Sequence, residues 1–161
     1  MKHELHSAAN FIVHILRLAK RGVSEAKLLK FQKCLINEMR KRYRDHWFPE
    51  KPLKGSGYRT IRFNGKLDPM ISRAGEACGL SETFLLEAFP IFMLWIDPLE
   101  VSYRFGENSP MYVFYDKHCL DPWTHQKPPR TTYVAPPPAP AEENNNITLD
   151  DIINDLKPLC K

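Results

Sequence analysis

Three short apolar or aromatic runs, Ile91 to Asp97, Val101 to Phe105 and Met111 to Tyr115, are joined by links of a few residues. Asp97-Pro98 separates the first pair and Glu107-Asn108-Ser109-Pro110 the second. Parallel neighbours need a crossover of about a dozen residues, so such links permit only antiparallel strands. The second half of the domain is therefore predicted to be a β-meander. The first 43 residues have the other period. Leu5, Ala8, Ala9, Ile12, Ile15, Leu16 and Ala19 recur at helical spacing, closed by Gly22 as a C-terminal cap. Ser24 then reads as an N-cap, and Leu28, Phe31, Leu35, Met39 and Tyr43 form a second stripe. Neither helix hides its stripe alone, so an antiparallel hairpin is expected. Between the halves, Tyr58 to Phe63 alternates as a strand ending at Asn64-Gly65. Asp68-Pro69 opens a helix to about Cys78, and Ser81 caps another ending before Pro90. Helices first and strands later predict an α+β fold, with a helix hairpin and short helices packed on a small, mainly antiparallel sheet.

The composition divides the chain. All seven glycines lie at or before Gly106, and eight of the 14 prolines lie at or after Pro122. Residues 1–116 carry 18 Lys+Arg against 13 Asp+Glu, whereas the remainder carries 5 against 6. A domain over 1–116 followed by a Pro-rich, disordered tail over 117–161 is expected, with an amphipathic segment at 148–157. No apolar stretch approaches the ~18 to 20 residues that span a bilayer, and the start lacks the apolar core of a secretory signal. Cys34, Cys78, Cys119 and Cys160 form no CxxC pair, which fits reduced thiols in a cytoplasmic or nuclear setting.

Catalytic patterns fail in turn. Lys54-Gly55-Ser56-Gly57 has the wrong order for a phosphate loop and reads as a flexible turn. The six histidines lack zinc spacing. Asp97 and Glu100 bound a turn, where acids ordinarily serve turn hydrogen bonds. No nucleophile, base and orienting group can be assembled, so neither an enzyme nor a bound cofactor or metal is expected. From Arg17 to Arg44 there are ten Lys+Arg and two acids. This face is read first as a solvated one that keeps the protein soluble, and only second as a partner of nucleic-acid phosphates, since no aromatic stacking platform interleaves with it.

The remaining signal is aromatic. Trp47-Phe48-Pro49 sits in a connection and is expected to anchor it on the core. In Phe92 to Asp97, alternation turns Phe92, Leu94 and Ile96 to the helices, and Met93, Trp95 and Asp97 to the other face. An outward Trp among polar groups has the composition of a protein–protein hot spot, and Tyr58 extends that patch. The alternative is a Trp in a second small core.

Two long segments are specific. Tyr43-Arg44-Asp45-His46-Trp47-Phe48-Pro49-Glu50-Lys51-Pro52-Leu53-Lys54-Gly55-Ser56-Gly57-Tyr58-Arg59, continuing to Asp68-Pro69, resembles the first signature box of the BTG/Tob anti-proliferative family. Leu94-Trp95-Ile96-Asp97-Pro98-Leu99-Glu100-Val101-Ser102-Tyr103-Arg104-Phe105-Gly106-Glu107 resembles its second. The resemblance implies a non-enzymatic adaptor that binds the CAF-type deadenylase subunit of the Ccr–Not complex and promotes mRNA poly(A) shortening. It places the deadenylase-contacting residues on Tyr58, Trp95 and Asp97. A monomer without nucleic-acid or membrane contacts is expected, with transcription factors as further partners. The family's LxxLL motif is absent, since Glu25 and Glu82 stand where leucine is needed. The competing reading is a nucleic-acid-binding or transcriptional cofactor acting through the basic face 17–44.

Overall fold

A computed structural model describes residues 1–19 and 22–117. The readings of the tail, including the 148–157 segment, lie outside the described residues. Helix α1 (Lys2–Leu18) is followed by α2 (Glu25–Tyr43). Arg17 pairs with Glu25, and Gln32 with Asn10, so residues farther back on α1 meet residues farther along α2. That is an antiparallel hairpin. The α2 stripe Leu28, Phe31, Leu35, Met39 and Tyr43 is buried as expected, joined by Ile36. On α1 burial goes further, because Phe11 and Val13 join the predicted stripe. The physical reason is position: α1 lies between α2 and the sheet and has two inward faces.

The sheet has four strands in the order β1-β2-β3-β4: β1 (Thr60–Phe63), β2 (Phe92–Asp97), β3 (Glu100–Phe105) and β4 (Tyr112–Asp116). Every pairing is antiparallel, and a register shift between Val101 and Ser102 bends β3 against β4. Phe11 of α1 carries the helix–sheet interface. Its ring lies 4.8 Å from that of Tyr103 and 5.7 to 6.1 Å from those of Phe92, Phe105 and Phe114. Edge-on and offset contacts of this kind add about 0.5–1.5 kcal/mol each to the area they bury.

Between β1 and β2 the chain forms two helices, named here α4 (Pro69–Glu76) and α5 (Glu82–Ala88), preceded by the single turn α3 (Ser56–Arg59). Both caps predicted for these helices form, whereas Ser24, at the N-cap position of α2, makes no side-chain cap bond. Asp68 accepts from the Met70 amide at 2.8 Å, and Ser81 from the Phe84 amide at 3.2 Å. Asp68 also receives both contacts of the Arg42 guanidinium, at 3.1 and 3.2 Å, tying α4 to α2. We expect Asp68→Ala to cost about 1 to 2 kcal/mol, seen as a fall in Tm of roughly 4 to 12 °C. Asp68→Asn keeps the cap and should lose less. Equal Tm values for wild type and Asp68→Ala would contradict this account.

One expectation is corrected. The strand does not begin at Tyr58; Ser56 to Arg59 is helical and β1 starts at Thr60. Gly55, at φ 74°, turns the chain into that helix, and a Cβ there would sit 3.3 Å from an Arg59 nitrogen and 3.4 Å from the His46 carbonyl. The Thr60 hydroxyl donates to the Ser56 carbonyl at 2.9 Å and closes the turn.

Candidate functional site

The long connection from Arg44 to Gly55 has little regular structure beyond a 3-10 turn at Arg44–His46, yet it is tightly held. Its organiser is Arg59, which is fully buried. Its Nε donates to the Ile96 carbonyl at 3.0 Å. Its two terminal nitrogens donate to the carbonyls of His46, Pro52 and Lys54 and to Asp97 Oδ1, the last at 2.8 Å. The guanidinium also lies 5.6 Å from the centre of the Trp47 ring. Five acceptors around one cation draw the loop onto the end of β2, and the planar fork of arginine suits such convergence where lysine does not. Tyr43 adds a buried hydrogen bond from its hydroxyl to the Arg59 carbonyl at 3.1 Å, and burial pushes its pKa well above the ordinary phenol value. Trp47 does pack against the core, as the sequence suggested for this loop.

Arg59 points inward, and Tyr58 beside it points out. Tyr58 is 58% exposed, and its ring stacks on His46 at 4.0 Å with the planes 6° apart. A ring held by a short helix on one side and a parallel imidazole on the other presents its face with little rotamer entropy left to lose. Trp95 lies in β2, directly opposite Thr60 of β1 and Ser102 of β3. It is half-buried and lies outside the main hydrophobic cluster, on the sheet face away from the helices. Arg104 is 5.8 Å from its ring centre and donates to Met93 Sδ at 3.3 Å, so one cation spans both outward apolar side chains. Tyr58 and Trp95 thus lie at the same end of the sheet, two residues and one strand apart.

Asp97 does not sit with them at the surface. Only 2% of it is exposed, and its partner is the equally buried Arg59. Strict alternation placed it beside Trp95, but the connection from Arg44 to Gly55 folds over that end of β2 and seals it. The residue that sequence reasoning missed is Arg59. One signal was available: it shares parity with Ile61 and Phe63, the inward positions of the alternating run.

The following turn is anchored as firmly. Leu99 has φ 73°, a left-handed conformation rare for a branched side chain. Its amide donates to Glu4 Oε1 at 3.1 Å, and its carbonyl accepts from the Lys117 amide at 2.9 Å. Burial alone would raise the Glu4 pKa. Hydrogen bonds from the N-terminal ammonium and the Glu4 and Leu99 amides, together with the ammonium charge, outweigh burial and hold it below the usual carboxylate range. No group of three or more metal-ligating side chains occurs among the described residues.

Comparison with known proteins follows the same geometry. A solved structure of the C. elegans FOG-3 BTG/Tob domain superposes with a TM-score of 0.62 at 19% identity, covering 72% of this chain and 90% of that one. The architecture is therefore that of a BTG/Tob domain. A model of the BTG family matches residues 1–115. Human BTG2 is 46% identical over 119 residues, 73% of this chain and 74% of its own length. Human BTG1 is 46% identical over 114 residues, 70% and 66% respectively. The chain belongs to the BTG/Tob family of anti-proliferative proteins.

Proposed function

We propose that this protein is a monomeric, non-enzymatic adaptor that binds the CAF-type deadenylase subunit of the Ccr–Not complex, promotes mRNA deadenylation and so restrains proliferation. The observation that carries this reading is the pairing of an exposed Tyr58 and a half-exposed Trp95 at one end of the sheet, each on a rigid element. Aromatic anchors around a protected centre are what a protein partner's pocket recognises. Asp97 takes the part of a positioning residue: it fixes Arg59, which fixes the loop that carries His46 and precedes Tyr58. Titration of the purified deadenylase subunit with the intact chain should give saturable binding. Absence of binding at tens of micromolar would remove the reading.

A second reading is favoured by one feature of α2. Lys30, Lys33 and Arg40 of α2, and Arg44 directly after its end, are exposed, follow each other at helical spacing with Asn37 between, and have no acidic partner among the described residues. The stripe runs about 21 Å. The other cations of this region are partly spoken for: Arg17 by Glu25, Lys41 by Glu38 and Arg42 by Asp68. If the stripe follows four phosphates of a single strand, RNA affinity should fall roughly fiftyfold between about 50 and 200 mM salt. Lys33→Glu with Arg40→Glu should abolish it. Absence of RNA binding at low salt would dismiss this reading.

A further inference from the structure

We propose that Cys34 and Cys78 form a reversible intramolecular disulfide that braces α2 against the end of α4. The two sulfurs are 3.9 Å apart across the helix interface, although the residues are 44 apart in sequence. Cys34 sits on α2 and is half-buried, whereas Cys78 follows α4 and is buried. The backbone around Cys78 is fixed on both sides. Its amide donates to the Gly75 carbonyl at 2.9 Å, and the Gly79 carbonyl accepts from Lys27 Nζ at 3.2 Å. The sulfurs must close from 3.9 Å to the about 2.05 Å of a disulfide, a shortening of about 2 Å shared between two side chains already in contact.

The two thiols differ in reactivity. Burial, and then the hydrogen bond and charge of Cys34, push the Cys78 thiol up to about 11, against the opposing charges of Lys30 and Lys27. The more accessible Cys34 therefore reacts first. Its thiolate attacks one sulfur of a low-molecular-weight disulfide such as oxidised glutathione, and that S–S bond breaks with release of one glutathione thiolate. Cys78 then gives its proton to solvent and attacks the Cys34 sulfur, expelling the second glutathione thiolate. The protein dithiol is oxidised, and one small disulfide becomes two thiols.

The closed loop would enclose residues 34–78, which include the whole segment from Tyr43 to Arg59, strand β1 and helix α4. The bond restricts the unfolded chain, so the gain should appear as a higher stability of the whole domain. The bond lies outside the Tyr58–Trp95 surface, and its formation does not depend on what that surface binds.

The test is peptide mapping of the full chain after equilibration with oxidised glutathione and quenching by alkylation. It is run in parallel on C119S/C160S. The expected main product is a peptide linking Cys34 to Cys78, two hydrogen atoms lighter than the reduced pair and restored by dithiothreitol. The Tm should rise by at least about 5 °C. In C78S, Cys34 should stop at the glutathione adduct; in C34S, Cys78 should stay unmodified. An adduct on Cys34 of the native sequence that never resolves onto Cys78 would overturn the proposal. So would pairing of Cys78 with Cys119 or Cys160, or a linked form that melts no higher than the reduced one.

Discussion

Arg59→Met is expected to destabilise the domain by about 3 to 5 kcal/mol, a large part of the ~5 to 15 kcal/mol that holds an ordinary domain together. The loss does not measure the worth of the ion pair. It comes from what loses the cation: the Asp97 carboxylate, 2% exposed, loses its buried counter-charge, and the carbonyls of His46, Pro52, Lys54 and Ile96 lose the guanidinium donors. Each needs a donor that water cannot easily supply once the loop is closed. Asp97→Leu alone should be costly for the mirror reason, since it leaves a buried guanidinium with four carbonyls but no counter-charge. The double variant, Arg59→Met with Asp97→Leu, should recover part of the sum, because both charges go together. Urea denaturation would read all three. A fall of less than about 1 kcal/mol for Arg59→Met would show that the loop does not depend on this hub. Hydrogen exchange should accelerate first in the stretch between Pro52 and Tyr58.

Truncating Trp95 should act in the opposite way, with a small effect on folding and a large one on binding. Its ring lies outside the main core, so Trp95→Ala leaves the helix–sheet interface around Phe11 intact. Loss of a central aromatic typically costs at least about 2 kcal/mol of binding, or about thirtyfold in affinity. Tyr58→Ala should follow in the same direction, because the variant removes the exposed half of the His46 stack and leaves Arg59 in place. His46→Ala should weaken binding less, since it loosens Tyr58 without removing it. These variants separate contact from support. Trp95→Ala keeps the urea midpoint and loses affinity, whereas Arg59→Met loses both.

Much of this was legible in the residues, and the failures have physical causes. The stripe Leu28 to Tyr43 was readable because α2 covers the core with one face only. The α1 stripe was incomplete because a helix between two layers is apolar almost all round, which blurs the period. Strands β2 to β4 came out within a residue, because short links leave antiparallel neighbours as the sole solution. Pairing of β1 with β2 could not be read, since two helices intervene and nothing local fixes that register. Tyr58 was misplaced on a strand because Gly55 and the Thr60 hydroxyl set the turn, and these are local geometry without a period. Asp97 was misjudged because alternation describes a bare sheet and says nothing about a loop folded over its end. The proximity of Cys34 and Cys78 is a tertiary fact, invisible in spacing.

The central claim is that Trp95, flanked by Tyr58, docks this domain onto a deadenylase. The most direct measurement is isothermal titration of the CAF-type subunit with the wild-type chain and with Trp95→Ala, circular dichroism confirming that both are folded. The account predicts saturable binding for the wild type and at least about thirtyfold weaker binding for the variant. Equal affinities for the two folded proteins would contradict it.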